Sequence, residues 1–574
     1  MNLEILSLGW PPFVIFFIGA LVAACSRGMT QKIVVLATPI LSFVNFYCLP
    51  DNLSVTQLVY GNNLEIVYSD KLARLFGYLF HLAALTGVIY ALKVKGTIQH
   101  VAALAYAGCA IGAVFAGDWI TLFIFWEGLA LTSVFLIWAN RTERSFQSGM
   151  RYLIMQVLSG MLLFAGALLV MKSGLPAKVG ALSLTNNIDL HASIGSWLIF
   201  IAFGIKAGFP LFHTWITDSY PEATYSGSVF LTAFTTKVAI YVLIRCFAGT
   251  ELLIPIGLTM ACFPIFFAVI ENDLRRVLTY SMINQIGFMI CGIGIGTELA
   301  INGAVATAFN HVIYKGLLMM TMGAVLYRVG HVRGSDLGGL YRSMPITTVC
   351  CIIGAASISA FPLFSGFVSK AIIMGEMLHE GHTIGWLLLL FAAAGVFHHA
   401  GIKIPYFAFF AHDSGIKVKE APTNMLIAMC ISSALCIVIG TNPQLLYQLL
   451  PYAMDYSPYD LTHVVTQLQL LFFSALAFVL LNLWGQYPPE LRSVNLDSDW
   501  FIRRGFPATY RTLSRMFSAA NQRVGMAWSH FWHVKVNFLK KSSGPYGVLS
   551  RGWGANNMIF IVILLLGALL FYDF

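Results

Sequence analysis

The chain has 574 residues, of which 58% are hydrophobic and only 10% are charged. Soluble globular domains carry about 25% charged residues, so this composition excludes a water-soluble globular protein. The net charge is +9, but residues 485–556 alone hold ten Lys and Arg residues against three Asp and Glu residues. Such a local surplus is typical of a segment at a membrane surface, and no nucleic-acid partner is expected.

Apolar segments recur along the whole chain, and most are about as long as a bilayer-spanning helix. Because an open strand leaves its backbone polar groups unsatisfied in lipid, these segments predict helices. The predicted fold class is an all-α polytopic membrane protein with about 14–16 transmembrane helices. The apolar segments lie near residues 9–26, 33–50, 74–92, 99–117, 119–138, 152–171, 195–216, 226–248, 252–270, 276–296, 300–327, 346–378, 385–411, 424–449, 465–484 and 557–573.

Basic residues fall mainly in alternate loops, which the positive-inside rule assigns to the cytoplasm, leaving the N-terminus outside. The first basic residue follows the first apolar segment, so that segment is expected to be a retained anchor and not a cleavable signal peptide. The basic residues of the cytoplasmic loops are Arg27, Lys32, Lys93, Lys95, Arg141, Arg144, Arg275, Arg276, Arg328, Arg333, Arg342, Lys417 and Lys419.

An internal repeat is visible where GFPLFHTW (208–215) matches AFPLFSGF (360–367) at an offset of 152. Pro210 and Pro362 each lie in the middle of an apolar segment, where a proline removes a backbone donor and breaks a helix. Broken helices at corresponding positions of two repeats indicate a transport site near the bilayer midplane. A simple kink, common in membrane helices, is the alternative interpretation.

Ionisable residues interrupt several apolar segments. Glu127, Lys206, Lys237, His311 and Lys315 each have long apolar flanks, and placing a Lys or Asp at the bilayer centre costs about 2.5–3.5 kcal/mol. A lysine near a helix end can reach the interface, but one at the centre reaches it less well. Buried lysines lose their proton more readily and a nearby carboxylate restores it, so this set predicts a switchable proton relay.

Lys370 and Lys403 lie in apolar segments that also contain Pro362 and Pro405, so their positions are less defined. For Lys403, beside His398 and His399, a structural role and a relay role remain open. Adjacent histidines point to different faces of a helix, which argues against haem ligation.

The sequence predicts no metal site and no cofactor. None of the ten cysteines forms a C-x-x-C or other metal-binding spacing, so neither an iron–sulfur cluster nor a zinc site is expected. No G-x-x-x-x-G-K-[ST] motif occurs, so direct use of ATP is not expected either.

Six blocks in order resemble the proton-translocating antiporter-like subunit family, which is shared by respiratory complex I, membrane hydrogenases and the multisubunit Mrp-type cation/proton antiporters. The blocks are IFWEGLAL, GIKAGFPLFHTWITDSYPEA, TTKVAIYVLIR, DLRRVLTYSMINQIGF, NHVIYKGLL and DLGGLYRSMP…FPLFSGFVSK. The resemblance implies fourteen core helices with two inverted five-helix repeats, each containing one broken helix.

The resemblance also implies residue roles. Asp218 and Glu222, in the loop after the first broken helix, would gate proton access unless they are simply solvated. The relay residues would be Glu127 as the fifth-helix carboxylate, Lys206 as its ion-pair partner, Lys237 as the next carrier, His311 and Lys315 as the central relay, and Lys370 as the terminal lysine.

The implied domain organisation has six parts. They are N-terminal transmembrane helices (1–98), a first inverted repeat (99–248), a second inverted repeat (249–411), C-terminal transmembrane helices (412–484), a cytoplasmic-face amphipathic segment (485–556) and a final transmembrane helix (557–574). Apolar residues at helical spacing over 508–541, flanked by arginines, predict a basic amphipathic helix. That helix would either lie in the membrane interface or strap neighbouring subunits together.

The segments FHHAGIKIPYFAFFAHDSG and NLDSDWFIRRG resemble D-like subunits of bacterial Mrp systems more than they resemble complex I subunits. The expected function is that of a proton-conducting subunit of a multisubunit Na+/H+ antiporter, a secondary transporter in the inner (plasma) membrane with other hydrophobic subunits as partners. The alternative is a proton-pumping membrane subunit of an NADH–quinone oxidoreductase or membrane hydrogenase. A further relative, an inorganic-carbon uptake module, would require a soluble zinc-containing partner.

Overall fold

The computed structural model describes residues 10–59, 62–184, 190–488, 490–492, 495–498, 500–547, 552 and 554–572. Two strands, β1 (Ser54–Val59) and β2 (Asn62–Tyr68), accompany a series of helices. In chain order the helices are α1 (Pro12–Cys25), α2 (Gly28–Cys48), α3 (Lys71–Ala91), α4 (Thr97–Phe115), α5 (Trp119–Trp138), α6 (Glu143–Lys172), α7 (Leu190–Ala207), α8 (Thr214–Ser219), α9 (Gly227–Phe247), α10 (Leu253–Ile270), α11 (Leu274–Ile295), α12 (Glu298–Val329), α13 (Pro345–Ile358), α14 (Phe367–His379), α15 (Thr383–Phe410), α16 (Thr423–Thr441), α17 (Gln444–Tyr447), α18 (Leu461–Leu483), α19 (Phe506–Ser543) and α20 (Ala555–Tyr572).

Within this described part, thirteen helices are long and apolar enough to cross a membrane, and α1, α13 and α20 are shorter apolar helices. Several of these helices begin at a side chain that accepts hydrogen bonds from the first turn, which satisfies otherwise unpaired amides. Asp118 caps α5 in this way, Asp273 caps α11 and Thr297 caps α12. The predicted all-α polytopic membrane fold is confirmed.

Both proline-containing segments are broken, as predicted. The break at Pro210 separates α7 from α8, and the break at Pro362 separates α13 from α14. The backbone of the two breaks matches bond by bond: the amides of Phe209 and of Phe361, 152 residues later, each donate to the carbonyl five residues earlier, at 2.9 and 3.0 Å. The shared sequence therefore encodes a shared backbone shape.

Each break also forces a leucine into the left-handed backbone region. The φ angle is 72° at Leu211 and 74° at Leu363, a conformation that glycine adopts readily and a branched side chain adopts at a cost. Strained backbone of this kind persists only where the surrounding structure holds it, and it clusters at functional sites.

A second pair of matching contacts extends the repeat beyond the breaks. Asp118 forms an isolated antiparallel bridge with Lys178, and Asp273 forms one with Arg333, each residue of the second pair lying 155 positions after its counterpart. The broken pair α7 and α8 counts as one crossing, so five crossings lie between the two capping aspartates: α5, α6, α7 with α8, α9 and α10. Because five is odd, the two contacts lie on opposite sides of the membrane, and the two repeats are inverted.

One element was not predicted. Strands β1 and β2 form an antiparallel hairpin in the connection between α2 and α3. The carbonyl of Glu65 in β2 accepts a hydrogen bond from Gly117 (2.9 Å), which holds the hairpin over the turn between α4 and α5. The connection alternates polar and apolar residues in only two short stretches, a weak strand signal beside so many long apolar segments.

The chain divides into two compact units, residues 1–495 and residues 496–574. The second unit contains α19, a single helix of 38 residues and about 57 Å, and α20. No side chain described along α19 is buried, and its apolar and basic side chains are exposed alike. The predicted basic helix is therefore present, while its two interpretations, membrane interface or strap, both stay predictions.

Candidate functional site

Glu127 and Lys206 come together between α5 and α7. The Lys206 side chain is fully buried, its Nζ donates to the carbonyl of Trp126 at 2.6 Å, and it lies 4.0 Å from the centre of the Trp126 ring. The carboxylate of Glu127 is close enough to interact electrostatically with this ammonium group. Among the described residues, Oε1 of Glu127 has no hydrogen-bond partner. The acid and the base are thus close to each other.

The place of Glu127 depends on Gly160 of α6. A β-carbon at position 160 would overlap Oε1 of Glu127, so only glycine leaves room for the carboxylate. The neighbouring Ser159 links the three helices, because its hydroxyl accepts from Trp126 Nε1 (3.0 Å) and donates to the carbonyl of Ala202 (2.7 Å). Sequence reasoning assigned no role to either α6 residue.

Lys237 lies where α9 is irregular. At Phe234 the backbone leaves ideal helical geometry, with φ −105° and ψ −68°, which frees the carbonyl of Thr232 from the helix ladder. Lys237 Nζ donates to that carbonyl at 2.8 Å and to the Thr236 hydroxyl at 3.2 Å, and its side chain is fully buried. Both of these hydrogen-bond partners are neutral acceptors.

Two side chains of α4 connect the surroundings of Lys206 and Lys237. Cys109 is close enough to Lys206 to interact with it electrostatically. One turn earlier, the hydroxyl of Tyr106 shares a 2.5 Å hydrogen bond with the hydroxyl of Thr235, two residues before Lys237. Residues three apart on a helix lie on one face, so α4 presents both groups to the same region. Nothing in the sequence distinguishes Tyr106, which is one tyrosine among 23.

His311 and Lys315 lie one turn apart on α12, on the same face and fully buried. In the described structure neither ring nitrogen of His311 nor Nζ of Lys315 has a hydrogen-bond partner. Lys237 and Lys370 are both close enough to interact electrostatically with each of them. The predicted central pair thus lies between two further lysines, and together they form a cluster of three lysines and one histidine.

Lys370 lies just after the second break. Its Nζ donates at 2.6 Å to the carbonyl of Ile358, the last residue of α13, so the ammonium group bridges the two halves of the broken helix. The ring of Phe288 is 5.4 Å from this Nζ. Asn310 of α12 fixes the break itself by donating to the carbonyl of Ser365 at 2.7 Å.

Asp218 and Glu222 differ from the expectation of exposed loop carboxylates. Asp218 belongs to α8 and binds Arg151 at 2.7 Å, while Glu222 binds Arg144 at 2.7 Å and lies 3.7 Å from Arg276. Their side chains are only 11% and 14% exposed. Burial raises the pKa of Glu222, against the opposing effect of the two arginines. Sequence reasoning could not find these pairs because the arginines are distant in the chain.

The turn that carries Glu222 is also bound by the second repeat. Arg275, near the start of α11, is buried, and its Nη2 lies within hydrogen-bond distance of three carbonyls in this turn: those of Tyr220 (3.3 Å), Ala223 (3.0 Å) and Thr224 (3.3 Å). A side chain of the second half thereby holds the turn that follows the first break.

Nζ of Lys403 has four polar contacts, whereas Nζ of Lys315 has no hydrogen-bond partner in the described structure. Its Nζ donates to the carbonyls of Ala268 (3.2 Å), Val269 (2.6 Å) and Glu271 (2.7 Å) at the end of α10, and it lies 2.9 Å from the carboxylate of Glu490. A cation at a helix C-terminus is favoured by the helix dipole. These contacts make Lys403 a clamp between α10, α15 and the segment after α18.

The helix that carries Lys403 is unusually wound. Two π-helical turns, Phe397–Ile402 and Tyr406–Phe410, lie on either side of this lysine within α15. His399, in the first of them, is buried near Lys315 and Lys403, and His398 stacks on the ring of Tyr487 at 5.5 Å. Such π turns are frequent at functional sites.

Comparison with known proteins connects this arrangement to one family. Residues 116–394 match the model described as NADH:quinone oxidoreductase/Mrp antiporter, transmembrane. The chain is 30% identical over 361 residues to the D-type subunit of the Na(+)/H(+) antiporter of Alkalihalophilus pseudofirmus, a match that spans 59% of this chain and 71% of that protein. It is 29% identical over 439 residues to the A-type subunit of the antiporter from the same organism, across 68% of this chain and 54% of the relative. The chain therefore spans only about half the length of that A-type relative.

Solved structures show the same fold. A chain of the Mrp complex from Dietzia has a TM-score of 0.75 at 23% identity, covering 97% of this chain and 65% of that one. A chain of the membrane-bound sulfane sulfur reductase, an archaeal respiratory membrane complex, has a TM-score of 0.69 at 20% identity, covering 97% and 99%.

Proposed function

Because the chain belongs to the NADH:quinone oxidoreductase/Mrp antiporter family, we propose that it is the proton-conducting subunit of a multisubunit Na+/H+ antiporter. Protons would pass through Glu127, Lys206, Lys237, His311, Lys315 and Lys370. The observation that carries the proposal is the run of buried, closely spaced lysines with one carboxylate at its beginning.

Burial explains why such a run would transfer protons. Each uncompensated ammonium group costs several kcal/mol in a desolvated site, so the lysines around His311 cannot all be charged at once. A proton on Lys237 disfavours one on Lys315, and a proton leaving Lys370 makes room for the next. The cluster would therefore titrate as one coupled set.

The first step depends on the position of Glu127. While its carboxylate is near Lys206, the opposite charge holds a proton on the lysine. When the carboxylate withdraws, the buried ammonium group loses its compensation and releases the proton toward the hydroxyls of Thr235 and Tyr106. The unpartnered Oε1 of Glu127 supports this movement, because leaving costs it no protein hydrogen bond.

The proposal that Na+ is the exchanged cation rests only on similarity to the relatives. The relatives named above are subunits of Na(+)/H(+) antiporters, and their names support other hydrophobic membrane subunits as partners of this chain. We propose the inner (plasma) membrane as the location of the complex. The domain boundaries given for the two repeats belong to this proposal too.

Removal of the first acid or base tests the relay. Glu127→Ala and Lys206→Ala are expected to abolish Na+-dependent changes of ΔpH in everted vesicles while the complex still assembles. The matched controls are Glu143→Ala and Lys172→Ala, which remove an exposed acid and an exposed base at the two ends of α6. Unchanged transport in either relay variant would exclude the assignment.

The second candidate function is proton pumping in a redox complex. It is favoured by the match to nearly the whole of a chain from an archaeal respiratory complex. Mild-detergent purification from the native host, followed by mass spectrometry, separates the two. Small hydrophobic subunits alone would support the antiporter, whereas co-purifying flavin or iron–sulfur proteins would support redox-driven pumping.

A further inference from the structure

A cavity of about 330 Å³ lies beside Lys370, between α14 and α18. Its apolar wall comes mainly from α14 and α15, whereas most of its polar groups, Lys370 aside, come from α18 and the residues before it: Tyr456, Asp460, Thr462, His463, Thr466 and Gln467. A space of this size with several polar partners can hold several water molecules. The cavity therefore joins Lys370 to one polar face of a helix that the relay does not include.

The contacts of α18 place His463 next to the second break. Gln467 donates to the carbonyl of Ser359 in the break at 3.2 Å. The His463 ring stacks on Phe367, the first residue of α14, at 4.2 Å and 8°. Phe367 and Lys370 are three residues apart and share a helix face, so His463 adjoins the face that bears the lysine.

Hydrogen bonding defines the tautomer of His463. Its Nδ1 lies 2.7 Å from the carbonyl of Pro458, and a carbonyl can only accept, so Nδ1 carries the hydrogen. In the neutral ring Nε2 then holds the lone pair that accepts a proton. Asp460 is occupied with capping α18, where its Oδ1 accepts the backbone amide of His463 at 2.5 Å.

We propose that His463 carries protons between Lys370 and the outer face of the membrane. Nε2 of His463 and Nζ of Lys370 would exchange a proton through water in the cavity, and the imidazolium would exchange its proton with outside water and so return to the neutral ring. Protons that enter in exchange for Na+ take these steps from outside water to Lys370, and protons released outward take them in reverse. This inference rests on the proposed relay, and it assigns the step at the outer face to a residue outside the matched residues 116–394.

The test separates proton transfer from packing. His463→Phe retains a ring against Phe367, and His463→Gln retains a polar side chain, yet neither accepts a proton at neutral pH. Both are expected to lower Na+-dependent ΔpH changes about tenfold or more. Thr466→His, added to His463→Gln, places an imidazole on the same cavity wall and is expected to restore part of the rate. His382→Gln, at an exposed site in the turn before α15, is the matched control.

A wild-type rate in either single variant, or a double variant no faster than His463→Gln, overturns the inference. Glu127→Ala is measured in the same preparation. Loss of transport in Glu127→Ala without loss in the His463 variants overturns this inference alone, whereas full transport in all of them counts against the proposed relay as well.

Discussion

The carboxylate of Glu127 occupies the space in which a β-carbon of residue 160 would lie, and Gly160 is what leaves that space open. The two residues belong to neighbouring helices, α5 and α6. A glycine therefore determines how close the acid of the proposed relay comes to Lys206.

Gly160→Ala is expected to displace the carboxylate from Lys206 and so to lower Na+-dependent transport as strongly as Glu127→Ala does. The added methyl is small and apolar, so assembly should be retained. The measurement is ΔpH in everted vesicles, with Gly567→Ala in α20 as control, since a β-carbon added at that glycine would meet nothing within 4 Å. Normal transport in Gly160→Ala would show that the carboxylate can shift without consequence.

Lys315→Met is expected to abolish transport without destabilising the protein. Its Nζ has no hydrogen-bond partner in the described structure, so the apolar replacement leaves no buried group unpaired. The unfolding temperature of the purified complex should stay at or above that of the wild type. A large fall in that temperature would mean that Lys315 has a structural role instead.

Lys403→Met, unlike Lys315→Met, is expected to destabilise the protein. Removing this ammonium group leaves the carboxylate of Glu490 and the carbonyls at the end of α10 without their partner, and breaking a buried pair costs about 3–5 kcal/mol. The unfolding temperature should fall clearly. Lys403→Arg, which keeps the charge but never releases a proton, should retain most transport if Lys403 is a clamp; loss of transport with normal stability would make it a proton carrier.

Leu211→Gly is expected to stabilise the protein relative to Leu211→Ala by about 1 kcal/mol. Both changes remove the same exposed side chain, but only glycine relieves the left-handed backbone. Leu363→Gly and Leu363→Ala repeat the comparison at the second break. Thermal unfolding of the four variants measures the difference in stability between the Gly and the Ala variant at each position. Equal stability within each pair would show that the breaks carry no strain at these positions.

Asp336 gives a prediction about pH. Hydrogen bonds from Arg492 at 2.8 Å, and to a lesser degree from Ser335 and Arg333, lower the pKa of its carboxyl to about 2. A lowered carboxyl pKa stabilises the fold above the ordinary value near 3.8, and this stabilisation is lost only as pH falls toward 2. The contact between Asp336 and Arg492 should therefore persist from about pH 5 to 9, and the rate of proteolytic cleavage near Arg492 should be constant over that range. Asp336→Asn removes the charged partner and should increase the cleavage rate throughout the range.

The exposed Asp413, 3.9 Å from Arg342, provides the control for that experiment. Asp413→Asn should leave cleavage near Arg492 unchanged. Wild-type cleavage that rises already at about pH 5 would contradict the prediction.

Sequence reasoning found the charged residues of the candidate site because a charge within an apolar segment is visible without any structure. It found both breaks because each proline lies in a repeated motif. Gly160 was not predictable in the same way, since its contribution is the absence of a side chain opposite a residue 33 positions earlier. The role of Lys403 stayed open because most of its partners are backbone carbonyls of another helix.

The bonds of Arg275 have a consequence for how the two repeats move. The three carbonyls that it contacts lie between the first break and α9, whereas Arg275 itself lies in the second repeat, near the start of α11. The turn cannot swing outward without drawing α11 along or losing those bonds at a buried position. The buried guanidinium group therefore couples the position of this turn to the position of α11.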